Sequence, residues 1–93
     1  MKLVWSSKFI REFKRLKRQN PQLIPQVEQT LQSLTDDPFH PSLRTHKLQG
    51  DLSGIWACSI DYNNRILFEF VNNSDADTVE ILLHTLGSHD TVY

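Results

Sequence analysis

A chain of 93 residues, 39% hydrophobic and 23% charged, has the size and balance of one soluble globular domain spanning residues 1–93. Its apolar runs fall short of the ~20 residues a membrane helix needs, and Met1-Lys2-Leu3-Val4-Trp5 does not read as a signal peptide. A single cysteine, Cys58, excludes an internal disulfide and suits a reducing, cytoplasmic setting. The net charge of −1 hides an asymmetry: nine of ten Lys/Arg lie in residues 1–47 with four acids, and seven acids lie beyond them with Arg65 alone. Such polarity suits a polyanion at one surface and a basic partner at another.

Lys2 to Trp5 is short, apolar and β-prone and predicts a first strand. Ser6 or Ser7 can cap the helix that follows, where Phe9, Phe13 and Leu16 recur at helical spacing. Lys8, Arg11, Lys14, Arg15, Lys17 and Arg18 make much of the remaining surface basic, which is either a solvated face or a site for nucleic-acid phosphates. Asn20-Pro21 breaks this helix. A second, starting near Pro21 or Pro25 and ending at Leu34, carries Leu23, Ile24, Val27, Leu31 and Leu34 as its stripe.

The rest of the chain predicts strands. Arg44–Leu48 is the second, followed by a glycine-bounded loop at 49–54. Ile55–Asp61 turns Trp56, Cys58 and Ile60 inward, and Tyr62-Asn63-Asn64 reverses the chain. Arg65–Val71 returns with Ile66, Phe68 and Phe70 inward. Thr78–Leu86 is the last strand, with Val79, Ile81 and Leu83 facing the core. The order β-α-α-β-β-β-β predicts an α+β domain, with a helical hairpin on one face of a mainly antiparallel sheet. Trp5 and Trp56 are expected in the core, with Cys58 as a packed thiol rather than a nucleophile.

By the same parity Arg65, Leu67 and Glu69 face outward, with Ser59, Asp61, Glu80, Leu82 and His84. Arg65 on this open face, near His46, His89 and Tyr93, suits a phosphate site, because a guanidinium can clasp two phosphate oxygens. Histidines there can accept and donate protons near neutral pH. The alternative is an Arg65 paired across strands with Glu69 or Glu80. His84, His89 and Asp90 have metal-ligating atoms, but Gly87 leaves their geometry open and no His-x-x-x-His pair lies on a helix. Neither a metal nor another cofactor is expected.

The blocks His46-Lys47-Leu48-Gln49-Gly50-Asp51-Leu52-Ser53-Gly54-Ile55-Trp56, Asn64-Arg65-Ile66-Leu67-Phe68 and Gly87-Ser88-His89-Asp90-Thr91-Val92-Tyr93 resemble RelE-superfamily toxins, most closely the YafQ-like branch. Trp5, the two helices and Asp37-Pro38-Phe39-His40-Pro41-Ser42-Leu43 extend the resemblance over essentially the whole chain. It implies a toxin of a type II toxin–antitoxin pair, bound by a cognate antitoxin, that cuts mRNA in the ribosomal A site without metal. In such a reaction a ribose 2′-hydroxyl attacks the neighbouring phosphate, which needs a base, an acid and positive charge at the phosphate.

The resemblance assigns His46, Arg65, His89 and Tyr93 to the catalytic site. The basic helix, through Lys8, Arg11, Lys14, Arg15 and Arg18, is the expected RNA and ribosome contact, with Lys47 beside His46. Ser59 stands where YafQ has a second histidine, and Asn63 where it has an aspartate. Neither is an ordinary general base at pH 7. Two other activities fit the same family: a non-catalytic toxin resembling ParE that inhibits a topoisomerase, and a decayed member that only binds an antitoxin.

Overall fold

A computed structural model describes residues 1–88, and the expectations placed on His89, Asp90 and Tyr93 lie outside them. The elements are β1 (Leu3–Trp5), α1 (Ser7–Gln19), α2 (Ile24–Asp36), β2 (His46–Lys47), β3 (Trp56–Ser59), β4 (Asn64–Asn73) and β5 (Thr78–Ser88). They form the expected α+β order, with one five-stranded sheet arranged β1-β5-β4-β3-β2. β1 runs parallel to β5, and the other neighbours are antiparallel.

Local chemistry sets the helix ends. Ser6 is extended, and its Oγ accepts the Phe9 N–H at 3.1 Å, satisfying an otherwise orphaned donor of α1. Lys17 and Arg18 fall in the last turn, where cations favour the negative end of the helix dipole. Pro21–Leu23 form a separate 3₁₀ turn, so α2 starts at Ile24 and keeps Pro25 in its first turn, where no amide hydrogen is needed. Phe9, Val27 and Leu34 meet Ile66, Phe68, Ile81 and Leu83 in a core where all seven are fully buried.

The edge of β5 has two partners in succession. β1 covers it through the pairs Leu3–Ile81, Val4–Leu82 and Trp5–Leu83, then ends. α1 takes over: the Ser6 N–H donates to the Leu83 carbonyl at 3.2 Å, and Ser6 Oγ to the His84 carbonyl at 3.2 Å. Nearly two turns on, the Glu12 carboxylate accepts the Leu86 N–H at 3.2 Å and the Thr85 hydroxyl at 2.8 and 2.9 Å. Groups that a strand would have satisfied are therefore satisfied by a helix.

β5 also carries a bulge. Phe68 pairs with Leu83 but Leu67 pairs with Thr85, so His84 is the extra residue. The bulge resets the alternation and lets Leu86, rather than the residue before it, join Leu83 and Ile66 in the core.

Several expectations are corrected. β2 is limited to His46–Lys47, because Arg44 leaves the preceding Pro41–Leu43 turn in the left-handed region, at φ 52°, and cannot continue an extended strand. Val79 is exposed, since it pairs with Asn72 toward the far end of the β4–β5 hairpin. Trp5 stands at the surface with its ring edge-on to Phe9 and Phe13. Trp56 is half-buried against Phe39 and Phe70. Leu67, on the outward parity, is nonetheless buried beside Ala57.

Two predictions follow from this packing. Glu12→Ala strands the Leu86 amide and the buried Thr85 hydroxyl, and should cost about 2–3 kcal/mol in urea unfolding, with Glu12→Gln costing less. Cys58 is fully buried, and burial pushes its thiol up to about 12, against smaller opposing effects of the Ile66 backbone and the Arg65 charge. A thiol reagent at pH 8 should label it only after unfolding; rapid labelling of the native protein would contradict its packing.

Candidate active site

Strand register decides which side chains share a face. His46 lies beside Ala57, Ala57 beside Leu67 and Leu67 beside Thr85. The neighbouring row holds Ser59, Arg65 and Gly87. Paired side chains point the same way, and residues two apart on a strand do so as well. His46, Ser59 and Arg65 therefore share the outer face with Glu69, around an apolar floor of Ala57 and Leu67. Two strand spacings of ~4.8 Å and one two-residue step of ~6.8 Å separate the Cα atoms of His46 and Arg65 by about 12 Å.

The orientation of His46 follows from Arg44. His46 Nδ1 lies 2.9 Å from the Arg44 carbonyl oxygen, which can only accept. Nδ1 therefore carries the hydrogen, and in the neutral ring Nε2 holds the free lone pair. The left-handed turn at Arg44 that cuts β2 short also precedes this contact by two residues. A proton acceptor is thus fixed at the exposed edge of the sheet.

Arg65 is fixed too, though not by a carboxylate. Its Nη1 donates to the carbonyls of Asp61 at 2.6 Å and Asn64 at 3.0 Å. The cross-strand pairing with Glu69 or Glu80 does not occur. Glu80 accepts from Asn73 Nδ2 at 3.0 Å, while Glu69 Oε2 lies 3.4 Å from His84 Nε2. These last two atoms are within ion-pair range when the imidazole is protonated, but are too poorly aligned for a hydrogen bond. Among the described residues Nη2 and Nε of Arg65 have no hydrogen-bond acceptor, and no carboxylate forms an ion pair with the guanidinium.

The turn that holds Arg65 is itself organised by Asp61. One carboxylate oxygen accepts from Asn63 N at 3.0 Å, Asn64 N at 2.8 Å and Asn64 Nδ2 at 2.9 Å. Ser42, Arg44, Ser59, Asp61, Tyr62 and Arg65 line a cleft of about 290 Å³ beside this turn. Sequence reasoning missed Arg44 and Tyr62. The available signals were an arginine isolated between Arg18 and Lys47, and an aromatic residue in an otherwise polar turn.

The basic residues do not form one patch. Lys8, Arg11, Lys14, Arg15 and Arg18 are exposed on α1, which packs against β5. Lys47 sits on β2 at the opposite edge, its ammonium 5.4 Å from the Trp56 ring centre. Arg15 does line a smaller cleft with Glu12, Gly87 and Ser88, where the described chain ends. Among the described residues no three His, Cys, Asp or Glu side chains gather as a metal site, and no helix is long and apolar enough to cross a membrane.

The fold recurs in solved structures. A YoeB/ParE toxin from Agrobacterium tumefaciens is 18% identical with a TM-score of 0.77, the match covering 96% of this chain and 99% of that one. A copper-bound mutant toxin from Helicobacter pylori is 24% identical with a TM-score of 0.71, over 100% and 99% of the two chains. YafQ from E. coli strain BL21(DE3) is 12% identical with a TM-score of 0.78, over 98% and 96%. These likenesses establish the fold. No curated protein matches in sequence. The family model described as the bacterial toxin of type II toxin–antitoxin system, YafQ, matches residues 1–93. The chain therefore belongs to the YafQ family of bacterial type II toxins.

Proposed function

We propose that this toxin is a metal-independent endoribonuclease that cuts mRNA in the ribosomal A site and is silenced by a cognate antitoxin. The observation that carries the reading is His46, held by the Arg44 carbonyl with Nε2 left as a proton acceptor, on the same face as Arg65. In the reaction His46 Nε2 takes the proton of a ribose 2′-hydroxyl as that oxygen attacks the adjacent phosphorus. The bond to the 5′-oxygen breaks, the leaving oxygen is protonated, and a 2′,3′-cyclic phosphate remains.

Arg65 supplies charge to the phosphate oxygens. Its guanidinium is already held by two carbonyls, so little reorganisation accompanies the step. His89 is the acid in this scheme, and Tyr93 an aromatic wall beside the RNA. With Ser59 and Asn63 in place of a base, His46 and His89 carry the proton transfers. Lys8, Arg11, Lys14, Arg15 and Arg18 bind ribosomal RNA through its phosphates, and Lys47, on the opposite face of β2 from His46 and over the Trp56 ring, adds positive charge at that edge of the sheet. An antitoxin partner is supported by the solved DinJ–YafQ complex of E. coli and the YoeB–YefM complex of Staphylococcus aureus, both similar to this chain in fold.

His46→Ala should reduce A-site cleavage by at least ~100-fold, the scale of a general base. Arg65→Ala should reduce it by a similar factor. Both are read by primer extension on translating ribosomes, with circular dichroism confirming the fold. Full cleavage by both variants would refute these roles, and absence of cleavage by the wild type would refute the nuclease itself. Deleting residues 89–93 should abolish cleavage; a truncated protein that still cuts would remove His89 and Tyr93 from the mechanism.

A further inference from the structure

The cleft at the β3–β4 turn holds two side chains, Arg44 and Tyr62, that the reaction above does not use. We propose that Arg44, Arg65 and Tyr62 form a subsite for the nucleotide next to the cleaved linkage, with its phosphate between the arginines and its base stacked on the tyrosine. The proposal rests on the reading of the substrate as single-stranded RNA.

Three observations lead there. First, Tyr62 is 89% exposed, an extreme for a large aromatic side chain, and no aromatic ring lies against it among the described residues. Second, the turn that carries it is held. Asp61 draws three N–H groups onto one oxygen, and Arg65 Nη1 closes the same turn through the Asp61 carbonyl. An aromatic ring on an ordered turn offers a stacking surface with little backbone entropy left to lose.

Third, the cleft beside it brings Arg44 and Arg65 to one space of about 290 Å³. That is near the lower end of small-ligand pockets, in keeping with part of a nucleotide chain rather than a large ligand. The one acid there, Asp61, has an oxygen committed to three donors of the turn. The two guanidinium groups exceed that single charge, so an anion is favoured. Ser42 and Ser59 supply hydroxyls on the same wall. Ser59 is where the family's second histidine stands, so on this chain that position becomes part of a binding wall.

Arg44 also connects the subsite to the chemistry. Its carbonyl orients His46 while its side chain lines the cleft. Arg65 lines the cleft and shares the sheet face of His46, so the cleaved phosphate and its neighbour would both lie near it. A nucleotide bound by Tyr62 would thus set the position of the strand relative to His46.

The test is fluorescence anisotropy with a labelled, uncleavable 2′-O-methyl RNA hexamer and the full chain. Tyr62→Ala should weaken binding about tenfold while Tyr62→Phe retains it. Arg44→Gln should weaken binding several-fold and lower the salt slope by about 1. Circular dichroism should be unchanged, as both side chains are exposed. Equal binding by the wild type, Tyr62→Ala and Arg44→Gln overturns the subsite, as does a wild type that does not bind. Ribosomal cleavage is measured in parallel. Wild-type cleavage with binding indifferent to Tyr62 rejects the subsite and keeps the nuclease. Tyr62-dependent binding without cleavage rejects the nuclease and keeps the subsite.

Discussion

The handover of the β5 edge from β1 to α1 is the constraint on which much of this structure depends. A strand in a sheet needs its edge groups satisfied, and β1 covers only three residue pairs. Ser6 bridges the junction by capping α1 with its hydroxyl oxygen while donating that hydroxyl to β5. Glu12 continues the role nearly two turns later. The same contacts fix where β5 runs, and hence where Gly87 reaches its register with Arg65. A cap, a helix face and a strand edge therefore form a single unit that frames one side of the candidate site.

The order of elements was legible because each rested on a periodic signal or a strong breaker. Phe9, Phe13 and Leu16 marked α1, Pro21 marked its end, and Ile66, Phe68 and Phe70 marked β4. What was not legible came from tertiary or single-residue effects. The bulge at His84 depends on a register across two strands, so Thr78–Leu86 read as a uniform alternation. The short β2 depends on one left-handed residue, Arg44, whose side chain gives no cue for that conformation. Val79 has an inward parity but lies where the sheet extends past its helical cover.

The site was partly legible in the same sense. Arg65 stands on the outward face that parity gave it, and the β2–β3 register adds His46 to that face, which alternation alone did not assign. Their partners could not be read from sequence, because both are held by main-chain carbonyls, which every residue possesses. This kind of support has a chemical consequence. A carboxylate partner would have neutralised Arg65 and competed with a phosphate; carbonyl oxygens hold the guanidinium while leaving its formal charge in place. Pairing with Glu69 was the simplest alternative for this arginine, and the structure places Glu69 against His84.

The division of charge along the chain acquires a spatial meaning from this arrangement. The exposed cations of α1 lie on the side of β5, whereas Arg44 and Lys47 lie toward β2 at the other edge of the sheet. On the proposed function, an RNA touching both regions would span the width of the sheet, whose outer face carries Arg65. Each basic region alone is a weak, sequence-blind attraction that salt erodes. On the proposed function, two such regions on either side of the sheet would help to orient an RNA strand relative to His46 as well as attract it.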